Sequence, residues 1–302
     1  ADQAPQTHHN LSVRGGSEDM QYYVSGDYLY QQGLLKSGDS DYNQYQLRTN
    51  LSVQPTNNLD LGVNLSGRIE QEREPQTSDP FVGFGTYPWI VDRWPDGKLG
   101  PPTESMQSPI TQTNRDYGFN DENSRVINAK INFTYDMGWL TEGLELSGYA
   151  NYNREYGDSR EFYNIWTQYS KDWETGEYVE HTAFSRSHRG SRGVYSRNDQ
   201  SQTDFYHAQL TYDRSFGDHN VSAFAAYEQS ESQYTDLGAY RKGLPSAKQP
   251  YLWAGTEVER DNWESIFEGG RVNYFGSLSY NFARKYMIDL TMRYDGSFNF
   301  AE

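Results

Sequence analysis

Two stretches of the chain combine aromatic rings with amide and carboxylate side chains. Between residues 162 and 173 the sequence reads FYNIWTQYSKDW, which places Tyr163, Trp166, Tyr169 and Trp173 among Asn164, Gln168 and Asp172. Earlier, Tyr87, Trp89 and Trp94 stand close together, stiffened by Pro88 and Pro95. Sugars and peptides stack on such rings, and neighbouring amides and carboxylates orient them by hydrogen bonds. These seven rings are the candidate substrate-binding residues. The competing reading is that they pack against neighbouring loops, or cap a larger structure.

Other chemistry finds little support. Neither an HExxH motif, a Gly-x-Ser-x-Gly elbow nor a phosphate-binding glycine loop occurs. Glu70 and Glu72 share one strand face, whereas a glycosidase needs two carboxylates opposed across a substrate. Asp39, Asp41 and Asn43 have the alternate-oxygen spacing of a calcium loop but lack its remaining ligands. The six histidines have no metal-ligand spacing. The chain is therefore read as non-enzymatic, with no catalytic residue, metal or cofactor assigned.

Composition narrows the class. The 302 residues are only 35% apolar, yet 16% aromatic, with 26 tyrosines. A net charge of −16 argues against nucleic acid, whose phosphates need clustered Lys and Arg. With no cysteine, disulfides and thiolate chemistry are excluded. No apolar run is long enough for a transmembrane helix, which leaves membrane-spanning strands open.

The elements that must position these rings are strands. Period-2 alternation marks ten segments: residues 9–16, 21–32, 44–54, 59–70, 127–136, 144–153, 205–214, 221–228, 272–282 and 286–294. In 59–70, for example, Leu59, Leu61, Val63, Leu65, Gly67 and Ile69 oppose Asp60, Gly62, Asn64, Ser66, Arg68 and Glu70. Connections alternate strictly between short and long, and the long ones (33–43, 75–124, 158–202, 233–270) hold most of the Pro, Trp and Gly. Strands crossing a bilayer need about 9–11 residues, against roughly five or six in soluble sheets. Strand length and one-sided long loops favour an antiparallel transmembrane β-barrel over a soluble sandwich. Tyr135, Tyr152, Tyr212, Tyr227, Tyr280 and Tyr294 fall on the apolar parity near strand ends, where an aromatic girdle sits. The opposite face, with Arg48, Arg68, Lys130 and Glu145, would line the lumen.

Two stretches carry a resemblance. Residues 9–66 hold a strand ending Ser12-Val13-Arg14-Gly15-Gly16, a Tyr-rich strand, then Arg48-Thr49-Asn50-Leu51 and Leu59-Asp60-Leu61-Gly62-Val63-Asn64-Leu65. Residues 271–297 hold Arg271, Asn273 and Tyr274, a Lys285-Tyr286 turn, and Arg293, Asp295, Gly296 and Ser297. Together these resemble the SusC/RagA family of TonB-dependent outer-membrane transporters. Phe298-Asn299 departs from the family pattern, which continues with Ser and Arg-Phe.

The resemblance implies that residues 1–302 are part of a barrel of about 22 strands, with the plug domain and remaining strands lying elsewhere. It further implies import of oligosaccharides or peptides across the outer membrane of a Gram-negative bacterium. The implied partners are a SusD-like lipoprotein, TonB acting through the plug, and outer-membrane lipid. The polar face would then pack against the plug, the competing reading being contact with solute. The alternatives are a secreted β-rich carbohydrate-binding protein or glycosidase, and a structural adhesin.

The alternation of connections makes a topological prediction. In cells carrying the intact protein, an impermeant thiol reagent should label cysteines placed within 75–124, 158–202 and 233–270. Cysteines at Asn57 or Gly217 should stay unlabelled. Equal labelling at both sets would reverse the assignment.

Overall fold

A computed structural model of the chain describes residues 3–76, 89, 91–101, 109–184 and 190–298. Ten strands form one antiparallel sheet in chain order: β1 (Gln6–Gly16), β2 (Met20–Gln32), β3 (Asp41–Thr56), β4 (Leu59–Pro75), β5 (Gly118–Asp136), β6 (Leu144–Tyr163), β9 (Gly193–Phe216), β10 (His219–Lys242), β11 (Arg260–Phe282) and β12 (Tyr286–Ser297). Between β6 and β9, β7 (Ile165–Lys171) and β8 (Tyr178–Phe184) make a separate hairpin. The described helical pieces are α1 (Pro109–Gln112) and two single 3-10 turns, Arg115–Tyr117 and Leu252–Ala254. None is long enough to cross a membrane.

The ten strands run in the predicted order, but several reach well past the predicted ends. Alternation predicts a strand over 205–214, whereas β9 has 24 residues beginning at Gly193. Likewise β10 has 24 residues and β11 has 23. The reason is physical. Beyond the apolar belt both strand faces are polar, so the hydrophobic period disappears while the hydrogen-bond ladder continues. Pairing of β9 with β10 runs unbroken from Phe216↔His219 to Gly193↔Lys242. Such a strand is about 80 Å long, roughly twice what is needed to cross an apolar belt about 25 Å tall at a tilt near 45°. The long connections shrink accordingly, to 164–192 and 243–259 around these strands.

Register sorts the side chains into two faces. One row runs Val53–Leu61–Phe133–Gly148–Ala208–Tyr227–Tyr274–Tyr294 across eight strands. The next runs Leu59–Tyr135–Leu146–Leu210–Ala225–Gly276–Met292. Where the row meets Gly148, the Phe133 ring lies against the bare backbone, and a Cβ there would come within 2.8 Å of it. Leu47, Leu65, Ile127, Ile131, Leu278, Ile288 and Leu290 all share this face and are exposed. Along these rows nothing among the described residues covers it; only at the long-loop end are Phe162 and Val194, of the same parity, covered by a loop.

The short turns are knitted together by backbone hydrogen bonds between neighbouring hairpins. Asp136 N–H donates to Asn58 O (2.8 Å), Asp213 N–H to Gly143 O (2.8 Å) and Ala283 N–H to Asp218 O (2.7 Å). Buried side chains gather instead at the opposite, long-loop end. Leu99, Trp166 and Ala183 form one small core with Ile110 and Tyr117. Phe162, Val194 and Leu244 form another with Phe119, Ala247 and Leu252.

Leu278 stands between Ala223 and Leu290 on the apolar face, and Ser277 between Phe224 and Thr291 on the other. In the intact protein in lipid, Leu278→Arg should cost about 2–4 kcal/mol near the midplane, and Ser277→Arg much less. Unfolding titrations in lipid bilayers check the order. A reversed order would mean that the faces are exchanged.

Candidate functional site

The site lies at the long-loop end, and the predicted rings divide there into packed and open ones. Tyr87 lies outside the described residues. Trp89 is exposed. Trp94 is buried at 9% exposure: its ring meets Trp173 edge-on at 6.2 Å and Tyr178 at 5.6 Å, and its indole N–H donates to Tyr169 O (2.7 Å). Tyr169 N–H in turn donates to Leu99 O (3.1 Å). Lys98 Nζ sits 4.5 Å above the Tyr178 ring and 5.6 Å above Tyr169, paired with Asp96. That pairing holds the Asp96 carboxyl below its usual range and raises the Lys98 ammonium above its own.

Trp94 of one predicted cluster is therefore packed with Tyr169 and Trp173 of the other. Segment 91–101 lies along the β7–β8 hairpin. Trp166, 8% exposed and edge-on to Tyr117 at 5.3 Å, forms its core. Trp173 remains open at 79% exposure, on the hairpin tip. There the amides of Glu174 and Thr175 donate to Asp172 Oδ1 (2.8 and 3.2 Å) and hold that carboxyl below its usual range.

Tyr163 belongs to a different group. It is buried against Tyr195, edge-on at 5.9 Å. Tyr195 stacks on Tyr240 at 5.0 Å and meets Trp263 at 6.4 Å. All four lie on the polar parity of β6, β9, β10 and β11, at the long-loop end. The Trp263 indole lies across Gly238, where any Cβ would overlap the ring. Beside it, Arg197 Nε donates to Asp236 Oδ1 (2.6 Å) and Arg197 Nη2 to the Tyr234 hydroxyl (3.0 Å). An open aromatic wall flanked by oriented polar groups suits sugar rings or peptide side chains. Tyr195, Tyr240 and Trp263 escape sequence reasoning because they sit in polar stretches without hydrophobic period. Gly238 within a long strand is the signal that could have found them.

The neighbouring wall is acidic. A hollow of about 400 Å³ on the polar face is lined by Tyr42, Glu70, Glu72, Glu122, Glu155 and Asp199 among others. Glu72 stands directly opposite Glu122. Tyr42 donates its hydroxyl to Glu70 Oε1 (2.6 Å), and Arg68 pairs with Glu70 at 3.3 Å. At belt height the same face changes character. There Lys130 Nζ lies 4.5 Å over Tyr149, Tyr149 stacks on Phe205 and His207, and His207 Nδ1 is 3.2 Å from Glu228 Oε1. Asp39, of the calcium-like spacing, accepts from the Arg115 amide (3.1 Å), and Asp41 from Asn43 (3.2 Å). That segment ties β3 to the loop above it.

Removing the Trp94 donor tests the packed unit. Trp94→Phe leaves Tyr169 O without its partner and should cost about 1–3 kcal/mol, felt locally. Limited proteolysis should cut 91–101 or 172–177 faster, with the sheet intact. Unchanged cleavage would mean that the unit is held by other contacts.

No family model matches the chain. It is 24% identical over 298 residues to TonB-dependent receptor P3 of Formosa agariphila, covering 97% of this chain and 28% of that one. With TonB-dependent receptor P26 of the same organism it shares 22% over 99% of its length, 29% of that protein. A solved structure of the RagAB peptide transporter superposes with a TM-score of 0.69 at 19% identity, over 99% of this chain and 32% of the other. The chain thus spans under a third of the length of these relatives. They are receptors and transporters, which removes the glycosidase alternative. Along almost its whole length the chain is thus similar to TonB-dependent receptors, and its sheet has the fold of the matching part of the RagAB transporter.

Proposed function

We propose that this chain supplies ten strands to the wall of an importer for oligosaccharides or peptides. Further strands would close it into a barrel of about 22, with a plug domain inside the lumen. TonB would act through that plug, and a SusD-like lipoprotein would cover the long-loop end. On this reading residues 1–302 are one partial barrel domain. The observation that carries it is the apolar face, continuous across eight neighbouring strands and left exposed along those rows. A soluble sandwich or adhesin would bury such a face in a core.

The polar face then lines the lumen. Its Tyr195–Tyr240–Trp263 wall, backed by the buried Tyr163, is where cargo entering from outside would first stack. Trp89 and Trp173, both open, would extend that surface into the loops, with Tyr87 beside them in sequence. Trp94, Trp166 and Tyr169 serve by holding the loops. The acidic hollow beside the wall disfavours strongly anionic cargo by simple Coulomb repulsion. The likeness to a peptide transporter is the reason to test peptides alongside oligosaccharides.

Deleting the complete gene should abolish uptake of one of these two cargo classes, measured with labelled peptides and oligosaccharides, and uptake should collapse without TonB. Trp263→Ala in the intact protein should weaken cargo binding about tenfold with surface expression unchanged. Full uptake of both classes after deletion would overturn the reading.

A further inference from the structure

One aromatic pair lies on the other side of the wall. After β10, Gly243 turns the chain in the left-handed region (φ 72°), and the loop closes where Thr256 N–H donates to Lys242 O (2.9 Å) and Lys242 N–H to Glu259 O (2.9 Å). Leu244, 3% exposed, and Leu252 pack onto Phe162 and Val194. Phe162 and Val194 have the same parity as Leu146 and Leu210, the apolar face. The loop therefore folds down over the outer side of the sheet, away from the lumen-facing aromatic wall.

Leu252 is the anchor of a 3-10 turn, and its two neighbours point away from that anchor. Tyr251 and Trp253 stack with ring planes 10° apart and centroids at 6.2 Å. They are 41% and 68% exposed. The turn is fixed by Ala254 N–H donating to Tyr251 O (3.0 Å) and Gly255 N–H to Leu252 O (3.2 Å). Two large rings held parallel and in the open, on a turn rooted in a buried core, form a ready flat face for the C–H groups of a sugar ring.

Charge narrows the sugar. The Arg160 guanidinium lies 4.9 Å from the Tyr251 centroid, and Lys248 is exposed on the same loop. Neither makes an ion pair among the described residues, a state shared with Arg14, Arg48 and Arg284 among others, and Asp121, directly opposite Arg160, is paired with Arg115 instead. In a chain of net charge −16, unpaired cations beside an aromatic face favour an anionic ligand.

Height narrows its source. On this face of β6 the apolar run ends at Tyr152, because the next residue on it, Arg154, pairs with Asp204, and Arg160 is farther out along the same face. At about 3.4 Å per residue and a tilt near 45°, the platform stands about 20 Å above the hydrocarbon. At that level the outer face of an outer membrane is occupied by the sugars and phosphates of its own glycolipid.

We infer that Tyr251, Trp253 and Arg160 form a binding site for a negatively charged pyranose of the surface glycolipid, on the outside of the wall and separate from cargo. The inference uses the outer-membrane setting and does not depend on what is imported.

The test uses the complete protein in its native membrane, with p-benzoyl-phenylalanine placed at Trp253. Irradiation should yield an adduct that stains for glycan. It should fall at least about tenfold in a strain whose glycolipid is cut back to its innermost sugars. Tyr251→Ala with Arg160→Gln should lower the glycolipid copurifying per protein by about the same factor, with cargo uptake unchanged. Adducts to a lipoprotein, to a second copy of the chain or to added free oligosaccharide, or no adduct at all, would overturn the assignment. Because uptake is measured in the same strains, failure of the importer reading would show separately as absent uptake in the unmodified protein.

Discussion

Everything in this molecule depends on backbone pairing. Hydrocarbon has no water to satisfy a free N–H or C=O, so each strand must take all its partners from its neighbours. The ladders meet that demand for up to 24 residues without a break. In the ten-strand sheet the register shifts once, between Val53 and Thr56 at the short-turn end of β3. A bulge inside the belt would exchange the two faces beyond it, placing Asn64 or Lys130 in lipid. Uninterrupted pairing is thus what keeps apolar and polar chemistry on separate sides.

The two faces then answer to different solvents. On the apolar face, small residues such as Gly148 and Gly276 leave room for neighbouring rings and chains. The polar face has no such uniformity. At belt height it combines Lys130, Tyr149, His207 and Glu228, and above the belt it turns acidic around Glu72 and Glu122. Like charges set directly across a strand pair weaken the sheet. Glu72 stands opposite Glu122 despite that cost, and the pair adds to the negative field over the acidic hollow.

How much of this is legible in the sequence follows the same division. Inside the belt a residue's polarity reports its face, so Leu61, Val63 and Leu65 mark a strand unaided. Above the belt, Asn198, Asp199, Gln200 and Ser201 alternate between faces that are both wet, so β9 is invisible there although its ladder is complete. The same holds for the candidate rings. Trp94 and Trp166 are identifiable as aromatic loop residues, but whether a ring is open or packed depends on partners far away in sequence, such as Tyr178 and Tyr117. Tyr195, Tyr240 and Trp263 come together only through a register that no local pattern encodes.

The two ends of the sheet are held by different forces, and that difference explains where recognition can live. Short turns are clamped by backbone hydrogen bonds to adjacent turns, which leave few alternative arrangements. The long loops are held by small side-chain cores around Trp166 and Phe162, and by single bonds such as Trp94 to Tyr169. Such cores are individually weak, so these loops can open locally without disturbing the ladder beneath. A sheet held by its ladder, with separately foldable loops on one rim, can rearrange that rim while the strands stay fixed. The Tyr251–Trp253 turn is rooted on the apolar-parity face and the Tyr195–Tyr240–Trp263 wall on the opposite one, so one rim presents aromatic surfaces on both sides of a single sheet.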